Sequence, residues 1–218
     1  MSPGPTVGNH PFVVAHRGAS ADRPEHTRAA YERALAEGAD GVECDVRLTR
    51  DGHLVCVHDR SLDRTSTGSG LVSEMTLAEL RNLDYGSWHP SWRADGSHGD
   101  TGLLTLDDLV SLVLDWNRPV KMFIETKHPV RYGALVESKV LALLHRYGIA
   151  SPASADLSRA VVMSFSAAAV CGSAARRRCC RPSCSATPPA IWGAAQRRRS
   201  APPPSDRRSR RCVSILNW

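Results

Sequence analysis

Carboxylates recur on one face of two strand-like segments of the sequence. Glu43 and Asp45 lie two residues apart in VECDV. Glu125 and Lys127 have the same spacing in FIETK. Residues two apart on a β-strand point to the same face, and carboxylate oxygens are the ligands that Mg²⁺ and Ca²⁺ prefer. The three acids are therefore candidate cation ligands. The alternative is that they form ordinary ion pairs with neighbouring basic residues, namely Arg17, Arg47 or Lys127.

Two histidines also fall at the ends of strand-like runs. His16 closes the run FVVAH, and His58 lies at the end of LVCVHD. An imidazole with an ordinary pKa of about 6.5 can accept or donate a proton near neutral pH. Two such side chains beside a cation-bound phosphate would suit a general acid and a general base. A single histidine at a strand end is equally compatible with a structural, hydrogen-bonded role.

The elements that must position these residues alternate along the chain. Short apolar runs predict five strands, at 12–16, 41–49, 54–59, 120–127 and 160–165. Helical spacing predicts four helices, at 27–38, 76–83, 105–117 and 134–148. Thr27 and Thr105 are candidate N-caps, and Asp51-Gly52 is typical of a hairpin turn. Strands separated by helices indicate parallel βαβ units, whose strand ends line the functional face of an α/β barrel.

Six motifs together resemble the glycerophosphodiester phosphodiesterase family, in their order and in their spacing. They are HRGAS (16–20), PEHT (24–27), VECDVRLTRDGHLVCVHD (42–59), LDRTSTGSG (62–70), LTLDDLV (104–110) and IETKHP (124–129). The resemblance extends over about residues 12–166 and is specific, because several unlike motifs would otherwise have to coincide. It implies an α/β fold of the TIM (β/α)₈ barrel type and a metal-dependent hydrolase.

The resemblance also implies roles for individual residues. Glu43, Asp45 and Glu125 would hold a divalent cation, Ca²⁺ or Mg²⁺. The general acid and the general base would be His16 and His58. The substrate phosphate would be contacted by two basic side chains, Arg17 and Lys127. The reaction would cleave a glycerophosphodiester into sn-glycerol 3-phosphate and an alcohol. The head group, the choice of cation and the direction of proton transfer are left open.

One motif departs from the family pattern. The family usually has Asn where this chain has His26 in PEHT. An Asn at such a position can form a turn-type backbone hydrogen bond, which His forms less well. We interpret His26 as a tolerated replacement and not as a third catalytic histidine. The insertion at 59–102 is expected to lie beside the site and to shape the glycerol pocket.

The composition changes near residue 170. The whole chain is 42% hydrophobic and 23% charged, which is typical of a globular protein and excludes a fully disordered one. Residues 1–170 contain 17 Lys and Arg against 21 Asp and Glu, whereas residues 171–218 contain 11 Arg, no Lys and one acid. We therefore predict a flexible N-terminus at 1–11, a phosphodiesterase barrel portion at 12–170, and a separate tail.

This tail has three interpretations. Its arginines could attract the phosphates of RNA or of a membrane, or the tail could be a disordered basic segment. The third interpretation is a frameshift, since Arg, Ala, Pro and Cys without Lys are typical of GC-rich DNA read out of frame. Read one base earlier, residues 171–193 permit VRLGGPAPLLPTVLLGDTPRYLG, which resembles the apolar strand and loop expected next. We favour the frameshift, which would leave about five of eight barrel strands and make the fold incomplete.

Other classes are excluded or kept as alternatives. No apolar run approaches the roughly 18 residues of a membrane span, and the N-terminus lacks a signal-peptide pattern. We expect a cytoplasmic protein whose partner is a small-molecule glycerophosphodiester, with no nucleic acid bound. The alternatives are an inactive truncated remnant, a related barrel phosphodiesterase acting on phospholipids, and a nucleic-acid-binding protein that uses the Arg-rich tail.

Overall fold

A mixed β-sheet with helices packed against it forms the described part of the chain. In this computed structural model the described residues are 11–93, 99–128, 134–154 and 157–165, together with the strand at 214–216. Nearly all of the Arg-rich tail and most of the N-terminal segment lie outside the described residues. The division of the chain near residues 11 and 170 and the frameshift therefore stay predictions.

Six strands make up this sheet. They are β1 (Val14–His16), β2 (Gly41–Leu48), β3 (Leu54–Cys56), β4 (Lys121–Thr126), β5 (Ala160–Ser164) and β6 (Ser214–Leu216). The order is β1-β2-β4-β5-β6, and β3 pairs with β2 outside this path. The β1–β2, β2–β4 and β4–β5 pairs are parallel, which confirms the predicted α/β class.

The strand β3 differs from the other strands before residue 170. It pairs antiparallel with β2 through the tight turn at Asp51-Gly52, where Gly52 has a φ of 84° that only glycine adopts readily. The hairpin prediction is thus confirmed. The expectation of about five barrel strands is corrected to four parallel strands and one hairpin return, because β3 folds back on β2 instead of following a crossover helix.

Four α-helices lie at the predicted positions in the described part of the chain. They are α1 (Arg28–Ala36), α2 (Leu77–Arg81), α3 (Leu106–Leu114) and α4 (Leu135–Arg146). Thr27 caps α1 by accepting a hydrogen bond from the Ala30 N–H, and Thr105 forms a reciprocal capping box with Asp108 at α3. None of the described helices is long and apolar enough to cross a membrane.

Two apolar clusters hold these elements in place. The larger lies between the sheet and helices α1, α3 and α4, with Val46, Ile124, Leu109 and Val140 fully or almost fully buried. Burying a side chain of this size contributes about 1.5–3 kcal/mol. The smaller cluster lies beneath the insertion at 59–102: Val55, Val57, Leu62, Val72, Leu80 and Tyr85. The insertion therefore has packing of its own, which fixes its position relative to β3.

The edge of the sheet at β1 is apolar and exposed. Phe12, Val13 and Val14 are between one-third and three-fifths exposed. Among the described residues, β2 is the only strand that pairs with β1. A closed barrel would cover this edge with a further strand, and an uncovered apolar edge favours association between chains.

Candidate active site

The three predicted cation ligands come together on the two central strands. Glu43 and Asp45 lie on β2, Glu125 lies on β4, and all three side chains are buried. The parallel register pairs Asp45 with Glu125. One carboxylate oxygen from each residue lies within 4.8 Å of the other two. Period-two alternation and strand register together therefore create an acidic cluster, which here denotes Glu43, Asp45 and Glu125.

The charges within this cluster repel one another. Burial and the adjacent charge of Asp45 raise the pKa of Glu43 to about 8. Burial alone would raise the pKa of Asp45 as well, but its hydrogen bond with His26 and the charge of Lys127 hold that pKa well below its usual range. At neutral pH Glu43 is therefore mostly protonated unless additional positive charge lies beside it.

Ion pairs neutralise this cluster only in part. Lys127 Nζ lies 2.8 Å from Asp45 Oδ1 and 2.6 Å from Glu125 Oε1. Arg17 Nε lies 3.1 Å from Asp45 Oδ2, but the same guanidinium also pairs with Glu25. Among the described residues Arg47 forms no ion pair with the cluster, and its guanidinium instead donates two hydrogen bonds to the His58 carbonyl. The ion-pair interpretation thus leaves the three acids with too little positive charge.

The donor set of this cluster fits a divalent cation. Asp45 Oδ1 is buried and accepts no well-aligned hydrogen bond within the described part of the chain, although Lys127 lies close to it. Buried oxygens without a hydrogen-bond partner are costly unless another group satisfies them. Three carboxylates with facing oxygens are a hard ligand set of the kind that binds Mg²⁺ or Ca²⁺. Glu43, Asp45 and Glu125 are therefore the residues that could hold the cation.

Arg17 reaches the cluster through an unusual backbone conformation. Its φ is 61°, in the left-handed region that few residues other than glycine adopt. Its N–H donates to the Glu43 carboxylate at 3.0 Å, and the chain then turns at Gly18. A Cβ on Gly18 would lie 2.7 Å from the backbone of Ala30, so the turn requires glycine. Strained backbone of this kind is common at functional sites.

His16 lies at the open side of the cluster. Its Nε2 is 3.9 Å from Glu43 Oε2, and its side chain is 67% exposed. Partial burial and the neighbouring charge of Arg17 lower the pKa of His16. The imidazole is therefore neutral near pH 7 and can accept a proton there.

His58 follows β3, and within the described residues only one of its ring nitrogens, Nδ1, has a hydrogen-bond partner. Its Nδ1 lies 2.6 Å from Asp59 Oδ1. An ionised carboxylate can only accept, so Nδ1 carries the proton in this contact. Nε2 is left available for proton transfer.

The contacts of His26 with the cluster were not predicted from the sequence. Its ring is buried, with Nε2 3.0 Å from Asp45 Oδ2 and Nδ1 2.9 Å from the Tyr31 hydroxyl. Its φ is 60°, and Asn and His are among the few residues enriched in this left-handed region. His26 thus adopts the left-handed turn and contacts a predicted cation ligand. The position of His26 inside the PEHT motif indicated that it lies near the site. The spacing in the sequence did not indicate that its partner is Asp45.

Comparisons with known proteins agree with this geometry. The model of the glycerophosphoryl diester phosphodiesterase family matches residues 16–177. The chain belongs to this family. It is 83% identical over 164 residues to the probable glycerophosphodiester phosphodiesterase 1 of Mycobacterium tuberculosis, covering 75% of this chain and 60% of that protein. It is 36% identical over 155 residues to the glycerophosphodiester phosphodiesterase of Bacillus subtilis, covering 71% of this chain and 52% of that protein.

Solved structures of the family are also similar. A glycerophosphodiester phosphodiesterase from Agrobacterium tumefaciens matches at a TM-score of 0.61 and 32% identity, over 76% of this chain and 63% of that chain. A phosphodiesterase from Oleispira antarctica in complex with the product sn-glycerol-3-phosphate matches at a TM-score of 0.63 and 30% identity, over 76% of this chain and 62% of that chain. These matches confirm the predicted family and barrel fold class. The chain spans about 60% of the length of the relatives from M. tuberculosis.

Proposed function

We propose that this protein hydrolyses glycerophosphodiesters to sn-glycerol 3-phosphate and an alcohol, with the help of a divalent cation. The observation that carries the proposal is the acidic cluster at the centre of the sheet, whose facing oxygens need additional positive charge. Family membership supports the same activity. The product complex of the similar phosphodiesterase from Oleispira antarctica supports a glycerol phosphate product.

Two basic side chains beside the cluster are suited to bind the substrate phosphate. A cation held by the acidic cluster, Ca²⁺ or Mg²⁺, would supply charge that stabilises the phosphate oxygens during cleavage. Arg17 directly follows β1, Lys127 directly follows β4, and both lie beside the Asp45 carboxylate. The Arg17 guanidinium offers paired N–H donors that match a phosphate, and Lys127 offers a compact charge. The Arg17 and Lys127 side chains would together orient the diester for attack.

The two histidines carry the proton transfers in this proposal. One of them removes a proton from the attacking oxygen, which belongs either to water or to a hydroxyl of the substrate glycerol. The other protonates the departing alcohol oxygen, so that a neutral alcohol leaves. The nitrogens suited to these steps are His16 Nε2, which lies near Glu43, and His58 Nε2, which has no hydrogen-bond partner among the described residues.

Phosphorus-31 NMR on the purified full chain tests this proposal. Glycerophosphocholine and phosphatidylcholine vesicles are incubated in parallel with Ca²⁺, with Mg²⁺ and with EDTA. We expect sn-glycerol 3-phosphate from the soluble diester with a cation present and none in EDTA, while Glu125→Gln, which keeps the side-chain volume, is inactive. Cleavage of the lipid alone would instead favour the phospholipid alternative. Cleavage of neither substrate would contradict the proposal and favour the inactive remnant.

The cytoplasmic location expected from the sequence remains a prediction. Fractionation of cells that produce the protein would test it.

A further inference from the structure

Arg64, in the insertion, bridges two loops that flank the site. Its Nη1 and Nη2 donate to the two oxygens of Glu25 at 2.9 and 2.7 Å. Its Nε donates to Asp59 Oδ2 at 2.6 Å. Glu25 belongs to the loop after β1, and Asp59 follows β3. One guanidinium therefore connects segments that are otherwise separated by the hairpin.

Each acid that Arg64 contacts also holds a residue of the proposed active site. Glu25 Oε1 accepts a hydrogen bond from Arg17 Nη1 at 3.1 Å. Asp59 Oδ1 pairs with His58 Nδ1 at 2.6 Å. The result is a continuous series of alternating charge, in the order Arg17, Glu25, Arg64, Asp59 and His58. Arg64 is the central member and touches neither Arg17 nor His58 directly.

We propose that Arg64 is a positioning residue that fixes the His58 ring and the Arg17 guanidinium relative to one another. The proposal rests on the proposed function, in which His58 transfers a proton and Arg17 binds phosphate. Asp59 can orient the imidazole only if its own carboxylate is held still, and Arg64 holds the oxygen that His58 does not use. The same guanidinium holds Glu25, and through it the orientation of Arg17.

The chemistry of arginine is specific to this task. A guanidinium presents five N–H donors in a rigid plane, so it can bind one carboxylate with two bonds and a second carboxylate with a third. A lysine ammonium carries the same charge but is a compact donor on a flexible stem, and it cannot reproduce this fork. We therefore expect the geometry of Arg64, and not its charge alone, to matter.

Both partners of Arg64 remain ionised at neutral pH. The hydrogen bond from Arg64 lowers the pKa of Asp59 to about 2. Burial alone would raise the pKa of Glu25, but the hydrogen bonds and charge of Arg64 and the charge of Arg17 outweigh it and lower that pKa. All contacts in the series are thus charge-assisted, which makes them shorter and stronger than neutral hydrogen bonds.

A purely stabilising ion pair is the other interpretation of Arg64. Its side chain is 44% exposed, and exposed ion pairs add little to stability. Arg50 provides a matched control within the same chain. It is 53% exposed and pairs with both oxygens of Glu79 and with the Glu74 carbonyl, away from the site. A stabilising role predicts similar effects for the two arginines, whereas a positioning role predicts different ones.

The test compares Arg64→Ala, Arg64→Lys and Arg50→Ala in the full chain. The first readout is the ¹⁵N spectrum of the His58 ring, identified by its loss in His58→Gln. We expect the Nδ1-protonated tautomer in the unmodified chain and in Arg50→Ala, and a mixture of tautomers in both Arg64 variants. An unchanged tautomer in Arg64→Ala would overturn the proposal. This readout does not need turnover, so it remains decisive if the proposed hydrolysis itself fails.

The second readout is glycerophosphocholine hydrolysis. We expect Arg64→Ala to lower kcat by about 10–100-fold, as loss of an outer-shell partner typically does, with no rescue by Arg64→Lys and no effect of Arg50→Ala. Full rescue by lysine would show that only charge is needed and would contradict a positioning role. If Arg64→Ala does not fold, Arg64→Lys carries the test, because it keeps the positive charge and the aliphatic stem and removes only the planar fork.

Discussion

The acidic cluster and His58 are positioned by different means. Glu43, Asp45 and Glu125 are buried on the two central strands, where the backbone ladder sets their separation. His16 and His58 have side chains that are 67% and 33% exposed, the first at the end of the edge strand β1 and the second beyond β3. The cation ligands and His16, which lies opposite Glu43 in the ladder, are therefore built into the sheet, whereas the position of His58 depends on contacts between loops.

This difference predicts that a change in the acidic cluster has the largest effect. Glu43→Gln removes one candidate cation ligand while preserving volume and burial. Because the cation would stabilise the transition state by several kcal/mol, we expect turnover of glycerophosphocholine to fall by at least about 100-fold. Calorimetry should show cation binding weakened in parallel, with circular dichroism unchanged. Normal cation affinity in this variant would remove Glu43 from the ligand set.

A substitution of His58 should lower turnover without weakening cation binding. His58→Ala removes one proton-transfer group and leaves the cluster intact, so we expect kcat to fall by about 10²–10⁴-fold with cation affinity unchanged. Steady-state kinetics and a cation titration on the same preparation check both statements. Turnover near that of the unmodified chain would exclude His58 from the chemistry.

A smaller effect on cation binding is expected at His26, which forms a hydrogen bond with Asp45 of the cluster. His26→Ala removes the hydrogen bond with Asp45, and we expect cation affinity to weaken by about 10–100-fold. His26→Asn should stay close to the unmodified chain, since Asn also adopts the left-handed backbone and keeps an N–H donor. Titration of Ca²⁺ and Mg²⁺ into both variants measures this. Equal affinities in the Ala and Asn variants would show that the contact with Asp45 does not matter.

The smallest effect is a pH-dependent difference in stability. Asp59 and Glu25 have lowered pKa values in the folded chain, so the contribution of Arg64 is fully present above their unfolded values of about 3.9 and 4.3. It is lost as pH falls from there toward 2. We expect the Tm difference between the unmodified chain and Arg64→Ala to be constant above about pH 4.5 and to shrink below it. A difference that grows in acid would contradict the sign of these shifts.

The sequence predicted the acidic cluster well. Period-two spacing indicated that Glu43 and Asp45 share a strand face, and parallel pairing brought Glu125 beside them. Local patterns of this kind also predicted the caps of α1 and α3 and the hairpin at Asp51-Gly52. In each case the determining interaction lies within a few residues or follows from strand periodicity.

The contacts made by loop residues could not be predicted in the same way. Arg64 reaches Glu25 across 39 residues, and the His26 ring reaches Asp45 across 19. Both contacts depend on a loop whose course is set by left-handed backbone at Arg17 and His26, which no periodicity encodes. The predicted hairpin at Asp51-Gly52 already implied an antiparallel β3, so this strand should not have been counted among the barrel strands.

The change of composition near residue 170 gives a separate prediction. The frameshift interpretation predicts an inserted or deleted base near codon 170, and sequencing the gene through codons 165–218 checks it. An intact reading frame would make the Arg-rich tail genuine and would favour binding through that tail.

Calorimetric titration of Ca²⁺ and of Mg²⁺ into the metal-free full chain is the most direct test that the acidic cluster is a cation site. We predict saturable binding of one cation per chain, strongly weakened in Glu43→Gln and in Glu125→Gln and retained in His58→Ala. Absence of binding in the unmodified chain, or binding in both glutamine variants as tight as in the unmodified chain, would contradict it.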